Sequence, residues 1–260
     1  MHELRRALIG NCFWRENCFF RILSTKEYSA LRSAGRITMI QSVSNDIVLL
    51  GNGPVSSDQR DWVDQCAFVV RFNIPRNGGA QNGGRCDALC VTNHGMPARR
   101  FAKYREFQNL PFIYPATEIW IPRPLWHSSI SCYFNHPIPR IRWRQDHSSH
   151  LICRNGLQNH TQVYFSEQIW KQSFAQLNLD TNQWQISPST GFLALTYCLQ
   201  RFPLERFRIH LLGFSFRGSN AHPWSLERQA VERMADNGEV IWEMPLVGEK
   251  RFVPMLQNTG

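Results

Sequence analysis

Residues 46–73 read DIVLLGNGPVSSDQRDWVDQCAFVVRFN and predict the start of an α/β fold. The branched apolar run Ile47–Leu50 is typical of a strand that is buried on both faces. The next residues, 51–54 (Gly-Asn-Gly-Pro), predict a tight turn where glycine lets the backbone approach a ligand closely. A second apolar run, Phe68–Val70, predicts another strand. Such strand–turn–helix–strand units bind ligands at the carboxyl ends of their strands.

A dinucleotide site is one interpretation of this unit. The third glycine of the motif G-x-G-x-x-G would fall at Ser56, and Arg71 and Asn73 stand where an acidic residue would hold a ribose. An arginine there suits a 2′-phosphate, so an NADP-dependent oxidoreductase stays open as the least favoured alternative. We expect Ser56 or Ser57 to cap the helix after the turn.

The same stretch resembles the first signature of the sialyltransferases (glycosyltransferase family 29). In that family a strand runs into G-N-(S/G), and a later strand ends in V-(V/I)-R-x-N. Here these elements are residues 51–53 (Gly-Asn-Gly) and 69–73 (Val-Val-Arg-Phe-Asn). The second signature, P-S-T-G followed by an apolar helix and a strand ending in G-F, resembles residues 188–191 and the strand that ends at Gly213-Phe214.

The short third signature, H-x-x-x-x-E, matches His222 and Glu227. In the family this histidine is the general base, and a free histidine accepts a proton near neutral pH. We expect Glu227 to be the second catalytic residue, to lie near a helix start and also to orient the histidine. The resemblance also implies that Ser189, Thr190 and Gly191 hold the carboxylate and phosphate of a CMP-sugar. Independently, hydroxyl and free N–H groups at a helix start favour an anion.

Other substrate-binding residues are expected at the ends of the first three predicted strands. They are Asn52, Gly53, Arg71, Asn73 and Asn93. Many family members have a further histidine that assists the leaving phosphate, and none lies between Phe214 and His222. Arg217, His94, His127 and His136 remain alternatives for that role.

Strand and helix patterns alternate along the chain and predict a Rossmann-like, mostly parallel sheet with helices on both faces. The resemblance implies the GT-A-like variant of sialyltransferases. Further strands are predicted at 88–92, 112–114, 118–124, 209–212 and 240–242, and helices at 97–107, 162–177, 191–202 and 226–237. Residues 1–36 are expected to be an N-terminal appendage to a single catalytic domain, 37–260. Residues 126–158 show no regular pattern and are expected to be an acceptor-side insertion.

The composition indicates which kinds of binding partner and which cellular compartment to expect. The 260 residues carry a net charge of +9, and a basic surface attracts anions. The cluster at 140–144 (Arg-Ile-Arg-Trp-Arg) is compatible with nucleic acid, but we favour a solvated or acceptor-facing strand and predict no nucleic-acid partner. The eight cysteines include no C-x-x-C pair, so no zinc site is predicted, and Cys66, Cys90 and Cys198 are expected to be reduced core residues. These features predict a cytoplasmic protein, and a peripheral location at the inner membrane stays open.

The patterns together predict a soluble, bacterial-type glycosyltransferase. It would move sialic acid, or a related 2-keto sugar acid, from a CMP-sugar to a glycan hydroxyl with inversion and without a cofactor. The acceptor is expected to be a cell-surface glycan built at the inner membrane, and a lipid-linked form stays open. A CMP-Kdo transferase and a non-catalytic nucleotide-binding accessory protein are the main alternatives.

Transfer should not require a divalent metal ion. The chain has no D-x-D pair, the motif by which many glycosyltransferases hold a metal ion on a diphosphate. A CMP leaving group carries one phosphate, whose charge protein groups can neutralise. We expect equal transfer rates with EDTA and with Mg²⁺ or Mn²⁺. Activity that disappears with EDTA and returns with Mn²⁺ would show this prediction to be wrong.

Overall fold

The computed structural model describes residues 44–75, 81–108, 116–123, 146–180 and 186–243. Seven strands in these ranges form one sheet of order β5-β4-β3-β2-β1-β6-β7, in which every neighbouring pair is parallel. The strands are β1 (Asp46–Leu50), β2 (Phe68–Phe72), β3 (Ala88–Cys90), β4 (Glu118–Ile121), β5 (Thr161–Tyr164), β6 (Arg208–Leu212) and β7 (Ile241–Trp242). The predicted parallel α/β sheet is therefore confirmed.

Six described helices cover the sheet. They are α1 (Arg60–Gln65), α2 (Gly95–Tyr104), α3 (Ser148–Arg154), α4 (Glu167–Gln176), α5 (Thr190–Arg201) and α6 (Trp224–Asp236). Side chains of β1 alternate between two cores, because successive residues of a strand point to opposite faces. Ile47 and Leu49 pack in the core that includes α4, α5 and α6, whereas Val48 and Leu50 pack with Val63 of α1. Both faces of the sheet are covered, as predicted.

Two sequence predictions of local structure were wrong. Residues 161–164 (Thr-Gln-Val-Tyr) form β5 beside β4 and not the first turn of a helix, which suits their β-branched and aromatic side chains. The helix begins later, at Glu167, because Ser166 caps it by accepting a hydrogen bond from the Ile169 N–H. The first helix also begins later than expected, after Gln59, and no serine caps it.

Other predictions fall partly or wholly outside the described residues. The strand predicted at 112–114, the appendage at 1–36 and most of the insertion at 126–158 lie there. Within the insertion, α3 forms a short helix that the sequence pattern did not indicate. Cys66, Cys90 and Cys198 lie buried with free thiols. None of the described helices combines the length and the apolar character needed to cross a membrane.

Glycine lets the turns after β1 and β6 come into direct backbone contact. The N–H of Gly51 donates to the carbonyl of Leu212 at 2.8 Å, and the N–H of Gly53 donates to the carbonyl of Gly213 at 2.9 Å. A Cβ atom at Gly51 would lie 2.3 Å from the Gly213 oxygen, and one at Gly53 would lie 2.6 Å from it. Gly213 itself has a φ of +70°, which side chains rarely adopt. A larger residue at these positions would push the two turns apart.

Gly213→Ala should destabilise the fold more than a matched glycine substitution elsewhere. Gly156 has a φ of +72° and no atom near its would-be Cβ, whereas a Cβ at Gly213 would lie 2.9 Å from the Gly53 oxygen. Both alanines meet the left-handed backbone cost of about 1–2 kcal/mol. Only Gly213→Ala adds the cost of overpacking, about 1–3 kcal/mol. Urea unfolding measures both changes in the free energy of unfolding, and equal losses would contradict the contact.

Candidate functional site

The strand order places a crevice between the carboxyl ends of β1 and β6. The chain runs from β1 outward to β5 and then returns to β6 on the other side of β1. Parallel α/β sheets bind ligands at this kind of reversal, because the connections leave the two strand ends in opposite directions. The turn at 51–53 and the residues after Gly213 lie at this crevice, so the first and second sequence signatures meet there.

The ring of Phe214 joins the crevice to the start of α5. A Cβ atom at Gly51 would lie 3.1 Å from one edge of this ring, and a Cβ at Gly191 would lie 2.9 Å from another ring carbon. Phe214 also contacts the ring of Phe72 edge-on, with centroids 5.8 Å apart. The turn after β1 and the first turn of α5 therefore lie within one aromatic ring of each other. The ring leaves no room for a side chain at Gly191, and at Gly51 it adds to the restriction imposed by the Gly213 oxygen.

Asn52 and Asn73 lie just after β1 and β2, at the carboxyl edge of the sheet. Asn52 is exposed, and its side-chain N–H donates to the carbonyl of Phe72 at 3.2 Å. Asn73 adopts the left-handed backbone that asparagine tolerates, and its side-chain oxygen accepts from the Thr92 N–H at 2.9 Å. The amide NH₂ of Asn73 makes no hydrogen bond within the described ranges, so it can donate to a ligand.

Arg71 and Asn93, by contrast, hold the protein's own loops. The guanidinium of Arg71 is 1% exposed and donates to the carbonyls of Asn82, Gly83 and Arg85 at 2.7–2.8 Å. This points it away from the crevice, to the face covered by α1. The Asn93 side chain is fully buried and bonds the backbone of Arg123 and the carboxylate of Asp146. Neither side chain has surface left for a substrate.

The second and third signatures meet in a buried hydrogen-bonded pair. Ser189 caps α5 by accepting from the Phe192 N–H at 3.1 Å. Its own N–H and hydroxyl donate to the two carboxylate oxygens of Glu227 at 2.6 and 2.7 Å. Glu227, 1% exposed on α6, thus fixes the start of α5. Glu227 lies in the first turn of α6, as expected, but its carboxylate binds Ser189 and not His222.

Ser189 is therefore already occupied, and the first turn of α5 offers other groups. The backbone N–H groups of Thr190 and Gly191 make no hydrogen bond among the described residues, as is usual for the first turn of a helix. They lie beside Phe214 and above the crevice. An anion at this position would meet these N–H groups and the positive end of the helix dipole.

Burial raises the pKa of Glu227 to about 7, because the folded protein offers the charged form little solvation. The hydrogen bonds from Ser189 oppose this shift by stabilising the carboxylate. The carboxyl group at the base of the site therefore titrates close to neutral pH. This makes the Glu227–Ser189 pair sensitive to pH in a range where an ordinary glutamate is fully ionised.

His222 is held in one tautomer by the segment that precedes α5. Its Nδ1 lies 2.9 Å from the carbonyl oxygen of Ser187. A carbonyl can only accept a hydrogen bond, so the proton resides on Nδ1 and the lone pair on Nε2. Burial, and secondarily the charge of Arg123, lower the pKa of His222, while the bond to Ser187 opposes them. A neutral imidazole with a free Nε2 is suited to accept a proton.

Arg123 is a site residue that sequence reasoning missed. It follows β4, and its Nη2 donates to the hydroxyl of Ser187 at 2.9 Å, on the residue whose carbonyl binds His222. Its guanidinium also lies over the ring of Trp170, 5.4 Å from the centroid. The available signal was its place near the carboxyl end of the predicted strand 118–124, since Asn52 and Asn73 follow the ends of β1 and β2. Arg217, one alternative for the leaving-group role, is exposed, and His127 and His136 lie outside the described residues.

The described residues also border a cavity of about 330 Å³ beside β6 and β7. It is lined by residues that include Trp62, His210 and Ile241, and none of the predicted site residues lines it. The chemistry-bearing side chains instead gather along the carboxyl edge of the sheet. That edge carries asparagine amides, the N–H groups at the start of α5, the guanidinium of Arg123 and the neutral imidazole of His222.

Comparisons with known proteins give distant matches. No family model matches the sequence. A urease operon 23 kDa accessory protein of Rhizobium meliloti (strain 1021) is 22% identical over 202 residues, which span 75% of this chain and 90% of that protein. This identity is too low to assign the family.

Among solved structures, the fold is similar to sialyltransferases at low identity. A mammalian sialyltransferase has a TM-score of 0.48 and 14% identity, with 77% of this chain and 69% of that chain covered. The monofunctional α-2,3-sialyltransferase Cst-I of Campylobacter jejuni has a TM-score of 0.48 and 13% identity, with 82% and 80% covered. CstII of Campylobacter jejuni, in complex with cytidine-5′-monophosphate, has a TM-score of 0.45 and 12% identity, with 76% and 79% covered. Likeness at these scores carries no functional argument, which must come from the site itself.

Glu227→Gln should flatten the pH dependence of stability. The unfolded carboxyl titrates near pH 4.3 and the folded one near 7, so wild-type stability falls as the pH rises through this window. Glutamine does not ionise and keeps an acceptor for the Ser189 N–H. The free energy of unfolding of wild type relative to Glu227→Gln should therefore fall between about pH 5 and pH 8. Urea unfolding of both proteins at both pH values checks this. The contributions of other titrating groups cancel in the difference between the two free energies of unfolding, because both proteins contain these groups. Parallel pH profiles would contradict the assignment.

Proposed function

We propose that the protein is a glycosyltransferase that moves sialic acid, or a related 2-keto sugar acid, from a CMP-sugar to a glycan hydroxyl. One observation carries the proposal: the Ser187 carbonyl holds His222 as a neutral base beside the anion-favouring start of α5. The same few residues, 187–191, thus position both a proton acceptor and a site for negative charge. The chemistry of attack by a hydroxyl on an activated acidic sugar needs these two parts.

The nucleotide sugar would lie across the crevice between β1 and β6. Asn52, Gly53 and Asn73 would bind the nucleotide, since they are the predicted residues that line this edge. The N–H groups of Thr190 and Gly191 would receive the phosphate or the sugar carboxylate. Ser189 contributes indirectly, because its bonds to Glu227 fix where the helix begins. Arg71 and Asn93 are assigned no substrate contact.

In the proposed reaction, Nε2 of His222 takes the proton of the acceptor hydroxyl. The hydroxyl oxygen forms a bond to the anomeric carbon from the face opposite the phosphate. The bond between that carbon and the phosphate oxygen breaks, and CMP leaves with the bonding electrons. The configuration at the anomeric carbon inverts. Positive charge from Arg123 would stabilise the anionic groups that gather near this centre.

The donor sugar stays open between sialic acid and Kdo. Both are 2-keto sugar acids carried by CMP, and the residues assigned here recognise what the two share. A transfer assay with each CMP-sugar separates them. An NADP-dependent oxidoreductase is the least favoured reading, because Arg71 is buried and cannot reach a 2′-phosphate.

A non-catalytic nucleotide-binding accessory protein is the second candidate. The name of the Rhizobium meliloti relative favours it, and so does the use of Arg71, Asn93 and Ser189 in internal hydrogen bonds. The two candidates differ in one respect: an accessory protein would bind the nucleotide and turn nothing over. A thermal-shift series with CMP, CDP, UDP and NADP, followed by a transfer assay, distinguishes them.

His222→Ala should remove transfer and leave CMP binding nearly intact. Loss of a positioned general base costs ~10²–10⁴-fold in rate. The nucleotide is assigned to Asn52, Asn73 and the start of α5, so its affinity should change little by calorimetry. His150→Ala, an exposed histidine on α3, is the matched control and should transfer at the wild-type rate. Wild-type turnover by His222→Ala would show that His222 is not the base.

A further inference from the structure

Three buried ring nitrogens, two of His94 and one of His147, make no hydrogen bond with the part of the chain that the structure describes. The side chain of His94 is 8% exposed, and both of its ring nitrogens, Nδ1 and Nε2, are buried without a hydrogen bond to the described residues. Nε2 of His147 is also buried and makes no hydrogen bond with a described residue. Buried polar groups in folded proteins are nearly always paired, so such a concentration requires an explanation. It lies outside the groups assigned above to the nucleotide and to the base.

Asp146 supplies the third polar side chain of this cluster. Its Oδ1 lies 3.9 Å from His94 Nε2, too far for a hydrogen bond. The carboxylate accepts from Asn93 and from the N–H and hydroxyl of Ser148, which fix its position. An isolated antiparallel bridge joins His94 to Asp146, so the backbone holds the two side chains side by side. The fold thus holds the imidazole of His94 and the carboxylate of Asp146 side by side.

The chemistry of the cluster favours an uncharged hydroxyl. A neutral imidazole offers one donor and one acceptor, a carboxylate offers acceptors, and a hydroxyl can satisfy both at once. Burial, and then the nearby charge of Arg123, lower the pKa of His94 to about 4, so the ring is neutral. A phosphate would meet repulsion from Asp146. No three His, Cys, Asp or Glu residues in the described ranges are placed to share a metal ion.

From this geometry we infer that His94 and Asp146 form a subsite for a sugar hydroxyl of the acceptor. The inference rests on the proposed glycosyl transfer and names which part of the substrate binds at the ends of β3 and β4. Arg123 connects the two regions, since its charge acts on both His94 and His222 and its backbone binds Asn93. The acceptor would reach from this subsite to the base. The side chains of His94 and Asp146 are 8% and 11% exposed, so the cluster reaches the protein surface.

Acceptor kinetics of His94→Leu give the first test. We expect the acceptor KM to rise about tenfold, as for the loss of a hydrogen bond to substrate, with the CMP-sugar KM unchanged. The melting temperature should stay level or rise, because leucine leaves no buried nitrogen unpaired. His94→Gln keeps a donor and an acceptor and should recover part of the acceptor affinity, and His150→Leu is the exposed control. An unchanged acceptor KM, or equal effects on both substrates, would overturn the subsite.

Ring signals of His94 in the wild-type protein give a second test that needs no turnover. We expect ¹⁵N-detected imidazole shifts when methyl glycosides of galactose, glucose and their N-acetylamino forms are added, and no shift with inorganic phosphate. Shifts with phosphate alone, or with none of these probes, would overturn the inference. If the wild type transfers no sugar from any CMP donor, the proposed function fails. The imidazole shifts on addition of the methyl glycosides still show whether the subsite exists.

Discussion

The fold depends on the direct contact between the turns that follow β1 and β6. The Gly53 N–H binds the Gly213 carbonyl at 2.9 Å, a separation that only glycine permits at these positions. This contact joins the two turns at the crevice where the chain reverses and sets the position of Phe214. Because Phe214 touches Gly191, the start of α5 is set by the same contact. A small displacement of either turn would therefore move the anion-favouring N–H groups and, through Ser187, the histidine.

Buried hydrogen bonds connect the start of α5 to His222, the proposed base. Glu227 binds Ser189 twice, and Ser187, two residues earlier, binds His222 with its carbonyl and Arg123 with its hydroxyl. Burial of the Glu227 carboxyl costs free energy, and its pKa near 7 reflects that cost. Its two hydrogen bonds to Ser189 offset part of the cost and fix the start of α5. Rigid support of this kind is what a base needs, since a small misplacement reduces the rate of proton transfer strongly.

The sequence predicted the sheet, and it placed the candidate site at the carboxyl ends of the strands, because both inferences depend on local patterns. Apolar runs marked β1, β2 and β6, and the glycine turns after them marked the crevice. It did not reveal which polar residues are free. Arg71 and Asn93 have the right chemistry at the right strand ends, yet they satisfy carbonyls of loops distant in sequence. Arg123 was missed for the converse reason: its partner, Ser187, is 64 residues away. Pairing at such distances is decided by packing, which a single sequence does not show.

The central claim is that CMP binds across the crevice with its phosphate at the start of α5. A crystal structure of the protein with CMP tests it most directly. The account predicts the phosphate within hydrogen-bonding distance of the Thr190 and Gly191 N–H groups and the nucleoside along Asn52 and Gly53. CMP bound elsewhere, for example in the cavity beside Trp62 and Ile241, or a protein that does not bind CMP at all, would contradict it.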